Sequence, residues 1–323
     1  MAKPTVLVSR RWPGTVETRL KETYEVTLNA SDTPMTADEL RDALMSYDAV
    51  LPTVTDKIDA DVLSVTNPRA KILGNYGVGH SHINLDAAKA AGIVVTNTPE
   101  VLSDCTADIA MTLLLTAARR SGEGEREVRG KAWTGWRPTH MVGTKVSGKT
   151  IGIVGFGRIG QKMARKAHFG FDMKIVAQDY FPVKPEVLAE TNATQVDTLE
   201  ELLEQSDFVT LHTTGGADNQ HLMNAERISR MKPGSYLINT ARGEVVDADA
   251  LVDALQAGTI GGAGLDVFEG EPNINPRLLE CENAVLLPHL GSATKETRDA
   301  MGFRVFDNLE DFFAGRDPRD RVI

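Results

Sequence analysis

Short apolar runs separated by longer polar stretches recur along this chain: Thr5–Val8, Tyr24–Leu28, Ala49–Leu51, Ile72–Gly74 and Ile93–Val95. Each is too short for a helix of ordinary length and carries β-branched residues, which predicts strands buried on both faces. The stretches between them suit helices, so residues 1–100 predict βαβ units around a mainly parallel sheet. Asn97-Thr98-Pro99 interrupts the pattern, and Val101–Ala118 then reads as one long, strongly apolar helix with Ser103 or Asp104 near its N-terminus. A helix so apolar is expected to be buried over most of its circumference, as one lying between two domains would be. Gly122, Gly124 and Gly130 lead into Trp133–Pro138, a loop-forming stretch. Strands are then predicted at Ile151–Val154, Lys174–Ala177, Phe208–Leu211, Tyr236–Asn239, Gly262–Val267 and Ala284–Leu287, with helices at Leu199–Gln205, Ala225–Met231 and Asp249–Gln256. The last helix, Lys295–Phe313, is amphipathic and has no sheet left to follow, so it is expected to return to the first domain.

One of these strand-to-helix junctions carries chemistry. Ile151–Val154 is followed at once by Gly155, Gly157 and Gly160, a G-x-G-x-x-G that opens a helix with Ile159, Met163 and Ala167 on its apolar side. The first glycine permits a tight turn, the second lets backbone approach a pyrophosphate, and the third lets helix and strand pack closely. The helix N-terminus presents unpaired N–H groups to that anion. The next strand ends at Asp179, and 179 − 160 = 19 residues, close to the roughly 20 expected for an acid that binds an adenosine ribose. A dinucleotide is therefore expected here.

The length of 323 residues suits about two domains. With 41% hydrophobic and 25% charged residues the chain falls in the ordinary globular class. No apolar run reaches a membrane span, and Met1–Pro4 leads straight into a strand without the apolar region of a signal peptide, so a cytoplasmic protein is expected. A net charge of −10 argues against a nucleic-acid partner. Two cysteines, Cys105 and Cys281, are too few for a disulfide framework, and no metal site is expected; His80-Ser81-His82 lacks an evident third ligand. Trp133 and Trp136 either pack over their own helix or reach a partner subunit or substrate.

Ligands of open α/β sheets bind at the carboxyl ends of strands, which singles out Arg242, Glu271 and His289, each just after an apolar run. At this point the chain resembles the D-2-hydroxyacid dehydrogenase family over nearly its whole length. The matching motifs are Gly155–Gly160, Asn239-Thr240-Ala241-Arg242-Gly243, Gly264–Phe268 through Glu271-Pro272, and Pro288-His289-Leu290-Gly291-Ser292. The loop bearing Trp136 and the lack of an appended regulatory domain look most like the glyoxylate/hydroxypyruvate reductase branch. The resemblance implies two doubly wound, Rossmann-like α/β domains with a cleft between them: residues 1–100 plus 291–323 for substrate, 101–290 for dinucleotide. It implies catalysis by Arg242, Glu271 and His289, and substrate contacts from Val78, Gly79, Arg242, His289 and Trp136, the last reaching across a homodimer. Cofactor contacts are implied at Thr106, Gly155, Gly157, Arg158, Ile159, Gly160, Asp179, Thr213, Thr240, Ala241, Asp266 and Gly291.

The implied reaction is NADH-dependent reduction of a small 2-oxo acid, glyoxylate or hydroxypyruvate, to the D-2-hydroxy acid. Another substrate of the same family, or an NAD-sensing corepressor on the same scaffold, is the alternative. Histidine suits the proton donor because its unperturbed pKa of about 6.5 lies near working pH. Arginine's planar fork suits a carboxylate with a neighbouring carbonyl oxygen. NADH is expected over NADPH because Asp179 would meet a 2′-phosphate with like charge, and Tyr180, Phe181 and Pro182 follow it in place of an arginine. The family's small residue and proline are replaced here by Thr213-Thr214.

Overall fold

The apolar runs pair side by side as parallel strands in the computed structural model, which describes residues 2–323. Two compact units result, residues 2–102 with 293–323, and residues 103–292.

The first unit is built from β1 (Thr5–Val8), α1 (Gly14–Thr23), β2 (Glu25–Leu28), α2 (Ala37–Ser46), β3 (Ala49–Leu51), β4 (Ile72–Gly74), α3 (Leu85–Ala90) and β5 (Val94–Thr96). Its sheet runs β2-β1-β3-β4-β5, all parallel, an order that reverses direction at β1 and so places helices on both faces. Leu7, Leu40, Leu44, Val50, Leu73 and Val95 form one core under α2 and α3. Thr36 starts α2 through a capping box with Glu39.

The second unit opens with α4 (Ser103–Ala118) and α5 (Ser121–Arg129). It continues through β6 (Thr150–Val154), α6 (Arg158–Phe171), β7 (Lys174–Gln178), α7 (Pro185–Ala189), β8 (Thr194–Gln195), α8 (Leu199–Gln205), β9 (Phe208–Leu211), α9 (Ala225–Ser229), β10 (Tyr236–Asn239), α10 (Ala248–Gln256), β11 (Gly262–Leu265), α11 (Pro276–Leu279) and β12 (Ala284–Leu286). Seven parallel strands run β12-β11-β10-β9-β6-β7-β8, one more than the apolar runs predict. The extra strand, β8, is two polar residues, Thr194 and Gln195, at the sheet edge and leaves no run of apolar residues to mark it. Within its unit, α4 packs against α6, β10, β11 and β12. The glycine-bearing stretch after α4 forms α5: Gly122 and Gly124 lie within it, where Arg120–Glu123 and Arg129–Glu125 ion pairs offset part of the glycine cost.

The last helix, α12 (Lys295–Phe313), belongs to the first unit and packs on α1 and β4. Small residues set that approach: a Cβ on Gly302 would come within 2.7 Å of Val16, and one on Gly74 within 2.8 Å of Val305.

Candidate active site

The turn between β6 and α6 behaves as its glycines predict. Gly155 has φ +87 and donates its N–H to the Gln178 carbonyl at 2.9 Å, and a Cβ there would press to 2.7 Å from the His212 carbonyl. A Cβ on Gly160 would fall 2.2 Å from the Gly155 carbonyl oxygen, so helix and turn touch only because none is present. At Gly157 a Cβ would meet nothing within 4 Å, and no side chain caps α6. The backbone here is open, and the leading N–H groups of α6 are left for an anion. Arg158 is exposed and Ile159 half-buried, so the buried side of α6 rests on Gly160, Met163, Ala164 and Ala167.

Asp179, just beyond β7, is held at this turn by N–H donation from Phe156 at 2.7 Å and from Phe181 at 3.2 Å. Tyr180 and Phe181 are exposed beside it. The Tyr180 hydroxyl donates to Asn219 Oδ1 at 3.0 Å, and Asn219 Nδ2 donates to the Thr214 carbonyl at 2.9 Å. Thr213 donates its hydroxyl to the same carbonyl at 3.0 Å. The Thr213-Thr214 loop is thus shaped by side chains where the resembled family has a proline.

A second cluster forms at the ends of β10, β11 and β12. Asn239 turns the chain after β10: its Oδ1 accepts from Ala241 N–H at 2.9 Å and its Nδ2 donates to the Arg242 carbonyl at 2.9 Å. Gly243 then lies so close to Phe268 that a Cβ would sit 1.9 Å from its carbonyl carbon, which fixes Arg242 beside the end of β11. Arg242 is half-buried and donates from Nη1 to the Ala241 carbonyl at 2.7 Å. Burial lowers the pKa of its guanidinium, against the opposing charges of Glu244 and Glu271.

Asp266 clamps the His289 turn. Its buried carboxylate accepts N–H bonds from Leu290 at 2.6 Å and Gly291 at 2.7 Å, while its carbonyl accepts from His289 at 2.9 Å. Burial raises its pKa, and the two N–H bonds recover only part of that shift. The clamp holds His289 at φ +57, a left-handed conformation that costs a side-chain-bearing residue about 1 kcal/mol. His289 Nδ1 meets Glu271 Oε1 at 2.8 Å, and Glu271 Oε2 accepts from Phe268 N–H at 3.3 Å. Burial alone would raise the Glu271 pKa, but the hydrogen bond and charge of His289, with Phe268 N–H and Arg242, bring it below the usual glutamate value. Thr106 on α4 and Asp266 both flank Gly291, within 3.5 Å of the place its Cβ would take. The hydroxyl of Thr240, at the end of β10, is buried with no partner among the described residues.

In the other unit, the loop after β4 has its carbonyls tied. Asn97 Nδ2 donates to Val78 O at 2.9 Å and Asn75 Nδ2 to Gly79 O at 3.0 Å, while the N–H groups of Val78 and Gly79 make no bond among the described residues. His82 Nε2 lies 3.1 Å from Asn75 Oδ1. No group of His, Cys, Asp and Glu suited to a metal occurs among the described residues. Trp136 is 83% exposed and Trp133 54%, so packing beneath their own helix, one of the two readings of these rings, does not occur.

The structure therefore brings Arg242, Glu271 and His289 to neighbouring strand ends with Thr106, Thr240, Ala241, Asp266 and Gly291, and sets Asp179 against the glycine turn. Sequence reasoning missed His212, which packs under Gly155; burial pushes its pKa down to about 3, so the ring is neutral beside Thr210 Oγ1 at 3.0 Å. It too follows an apolar run, the signal that picked out His289.

A seven-stranded sheet with a glycine turn at one strand end and a histidine–glutamate pair with an arginine at others defines a dinucleotide-linked oxidoreductase scaffold. Residues 111–291 match the family model described as D-isomer specific 2-hydroxyacid dehydrogenase, NAD binding domain. A glyoxylate reductase of Thermococcus litoralis is 43% identical over 324 residues, covering 99% of this chain and 97% of that protein. A glycerate dehydrogenase of Hyphomicrobium methylovorum is 39% identical, covering 98% of each. The crystal structure of an NADPH-dependent glyoxylate/hydroxypyruvate reductase from Sinorhizobium meliloti, in complex with NADP and malonate, superposes with a TM-score of 0.86 at 34% identity, covering 99% of this chain and 97% of that one. The chain belongs to the D-isomer specific 2-hydroxyacid dehydrogenase family.

Proposed function

We propose that this chain reduces small 2-oxo acids with NADH, glyoxylate and hydroxypyruvate foremost, to the D-2-hydroxy acids. The observation that carries the reading is the 2.8 Å contact between His289 Nδ1 and Glu271 Oε1 at the strand ends that also bear Arg242. With Nδ1 engaged, Nε2 is the nitrogen from which a proton passes to the substrate carbonyl oxygen as it becomes an alkoxide. Glu271, ionised below the usual glutamate range, favours the protonated imidazole that must make this transfer. Arg242 steadies the carboxylate and the developing oxyanion. Val78 and Gly79, with N–H groups uncommitted, are the candidates for the substrate carboxylate.

The residues present fit the cofactor. Gly157 leaves open backbone at the head of α6, and Thr240 holds an orphaned buried hydroxyl, the kind of group a bound polar ligand completes. NADH, when bound, supplies the hydride for the carbonyl carbon. The turn from Gly155 to Gly160 would hold its pyrophosphate, Asp179 its ribose, and Thr106, Thr240, Asp266 and Gly291 its nicotinamide end. The Sinorhizobium relative takes NADP, so the choice between cofactors rests on this chain's own residues, where Asp179 is followed by Tyr180, Phe181 and Pro182 and no arginine. The reading includes a homodimer, supported by the exposed Trp133 and Trp136, and a cytoplasmic location, in keeping with two cysteines and a globular composition.

The deciding experiment follows NADH consumption with a panel of 2-oxo acids. Glyoxylate and hydroxypyruvate should give the highest kcat/KM; no turnover with any member, or preference for bulky aromatic 2-oxo acids, overturns the reading.

A further inference from the structure

The turn that carries Glu271 is pinned from its other side. His221, in the loop after β9, sits at φ +49 with its backbone N–H donated to the Glu244 carbonyl at 2.8 Å. Its Nε2 lies 2.8 Å from Oε1 of Glu269, two residues before Glu271. Its Nδ1 lies 3.9 Å from Asp247 Oδ2, the carboxylate that caps α10. Three segments therefore converge on one imidazole: the loop after β9, the start of α10, and the turn after β11.

The local zipper explains why the ring is held there. Met223 N–H donates to the Val245 carbonyl at 2.9 Å and Asp247 N–H to the Met223 carbonyl at 3.0 Å, so residues 221–223 run alongside 244–247. That second segment begins at Gly243, packed without a Cβ against Phe268. Phe268 N–H in turn donates to the Glu271 carboxylate. The turn from Phe268 to Glu271 is thus fixed at Phe268 by packing and at Glu271 by His289, and Glu269 between them has His221 as its anchor. Without His221 the turn keeps its fixed ends and its Glu271 N–H bond to the Phe268 carbonyl at 3.3 Å but loses its hold at Glu269, next to Gly270 at φ +73, so the Glu271 carboxylate can shift.

We propose that His221 is a positioning residue that sets the Glu271 carboxylate against His289 through Glu269. The inference rests on the reading of Glu271 and His289 as the proton-transfer pair. A carboxylate displaced by about an ångström no longer orients the imidazole, so turnover falls while dinucleotide binding, made by other segments, does not.

The test compares the parent chain with His221→Ala, His221→Gln and Glu269→Ala. Four quantities are measured: steady-state kinetics of glyoxylate reduction, NADH affinity by fluorescence titration, thermal unfolding, and the histidine ring signals by NMR. The His289 signal is assigned by its loss in His289→Ala. His221→Ala and Glu269→Ala should each lower kcat about threefold, the scale of one ion pair that is more than a third exposed. Combining His221→Ala with Glu269→Ala should lower kcat no further than either change alone. NADH affinity should hold, and His221→Gln, which keeps an N–H donor, should regain most of the lost turnover. The His289 ring signal should move in His221→Ala and return in His221→Gln, whether or not substrate is turned over. An unchanged kcat or an unmoved His289 signal overturns the inference. So does a kcat loss matched by lost thermal stability without rescue by glutamine. A parent chain inactive on every 2-oxo acid sinks the proposed function instead, and the His289 signal then decides this inference by itself.

Discussion

At the scale of single residues, each named side chain has a separable expectation. Under the proposed function, His289→Ala removes the group assigned as proton donor and should lower kcat by about 10²-fold or more, the usual contribution of a positioned acid. Arg242→Ala should both raise KM and lower kcat, since the proposed mechanism has its fork serve the bound carboxylate and the forming oxyanion alike. Near-normal rates for either variant would remove that residue from the mechanism. The dinucleotide end is tested by cofactor exchange. Asp179 is held facing the glycine turn by two backbone N–H groups, and under the proposed function its charge would meet a 2′-phosphate there. The unmodified chain should therefore show a higher kcat/KM with NADH than with NADPH, and Asp179→Ser combined with Tyr180→Arg should narrow or reverse that ratio. A parent preference for NADPH would contradict the role given to Asp179.

At the scale of elements, the inner strands were legible because they are buried on both faces and so read as nearly continuous apolar runs, from Val6–Val8 to Phe208–Leu211. By contrast β2 and β12, at sheet edges, are partly exposed rather than buried on both faces as expected. The strand ends were legible too, because polar residues interrupt such runs there, and the structure has Arg242 and His289 just beyond β10 and β12. Three features were not legible. The edge strand β8 has no apolar residues to announce it, and α5 forms through ion pairs despite two glycines. The anchor of His221 on Glu269 joins residues 48 apart through exposed loops, which no periodicity records. Element stability carries its own prediction. Asp48, before β3, accepts N–H and hydroxyl bonds from Thr5 at the start of β1, at 2.7 and 2.9 Å, and pairs with Arg69. The Arg69 hydrogen bond, with Thr5 assisting against burial, holds its pKa down to about 2. A depressed carboxylate stabilises the fold above its unfolded value of about 3.9 and loses that contribution as pH falls through the folded value. With the side chain 31% exposed, solvent screening leaves about 1–2 kcal/mol. Asp48→Asn should therefore cost that amount in denaturant unfolding at neutral pH, and the gap between variant and parent should close as pH drops from about 4 towards 2. A gap independent of pH would mean that the charge of Asp48 has no part in it.

At the scale of the whole molecule, one stretch is out of keeping with a free monomer. Residues 119–145 contain no buried residue, yet they include Val128, Trp133, Trp136 and Val142, all more than half exposed. The stretch is nonetheless ordered by its own bonds. His140 lies 2.9 Å from Glu127 on α5, and Thr144 N–H returns to the Ala118 carbonyl at 2.7 Å. A structured arm carrying uncovered tryptophan is the form expected of a surface buried by association, since aromatic residues concentrate in interface cores. A second copy of the chain is the simplest occupant, because closed twofold pairing buries the same patch on both subunits. If Trp136 also closes the partner's substrate site, its ring limits the size of the 2-oxo acid accepted, although one pocket wall discriminates by only about 1–3 kcal/mol. Sedimentation should accordingly give a dimer at working concentration. Trp136→Ala should relax the preference for glyoxylate and hydroxypyruvate over bulkier acids and change KM, leaving thermal stability of the folded chain nearly intact. A Trp136→Ala dimer with unaltered specificity would limit the residue to the interface, and a monomeric parent would end the assignment of this arm to self-association.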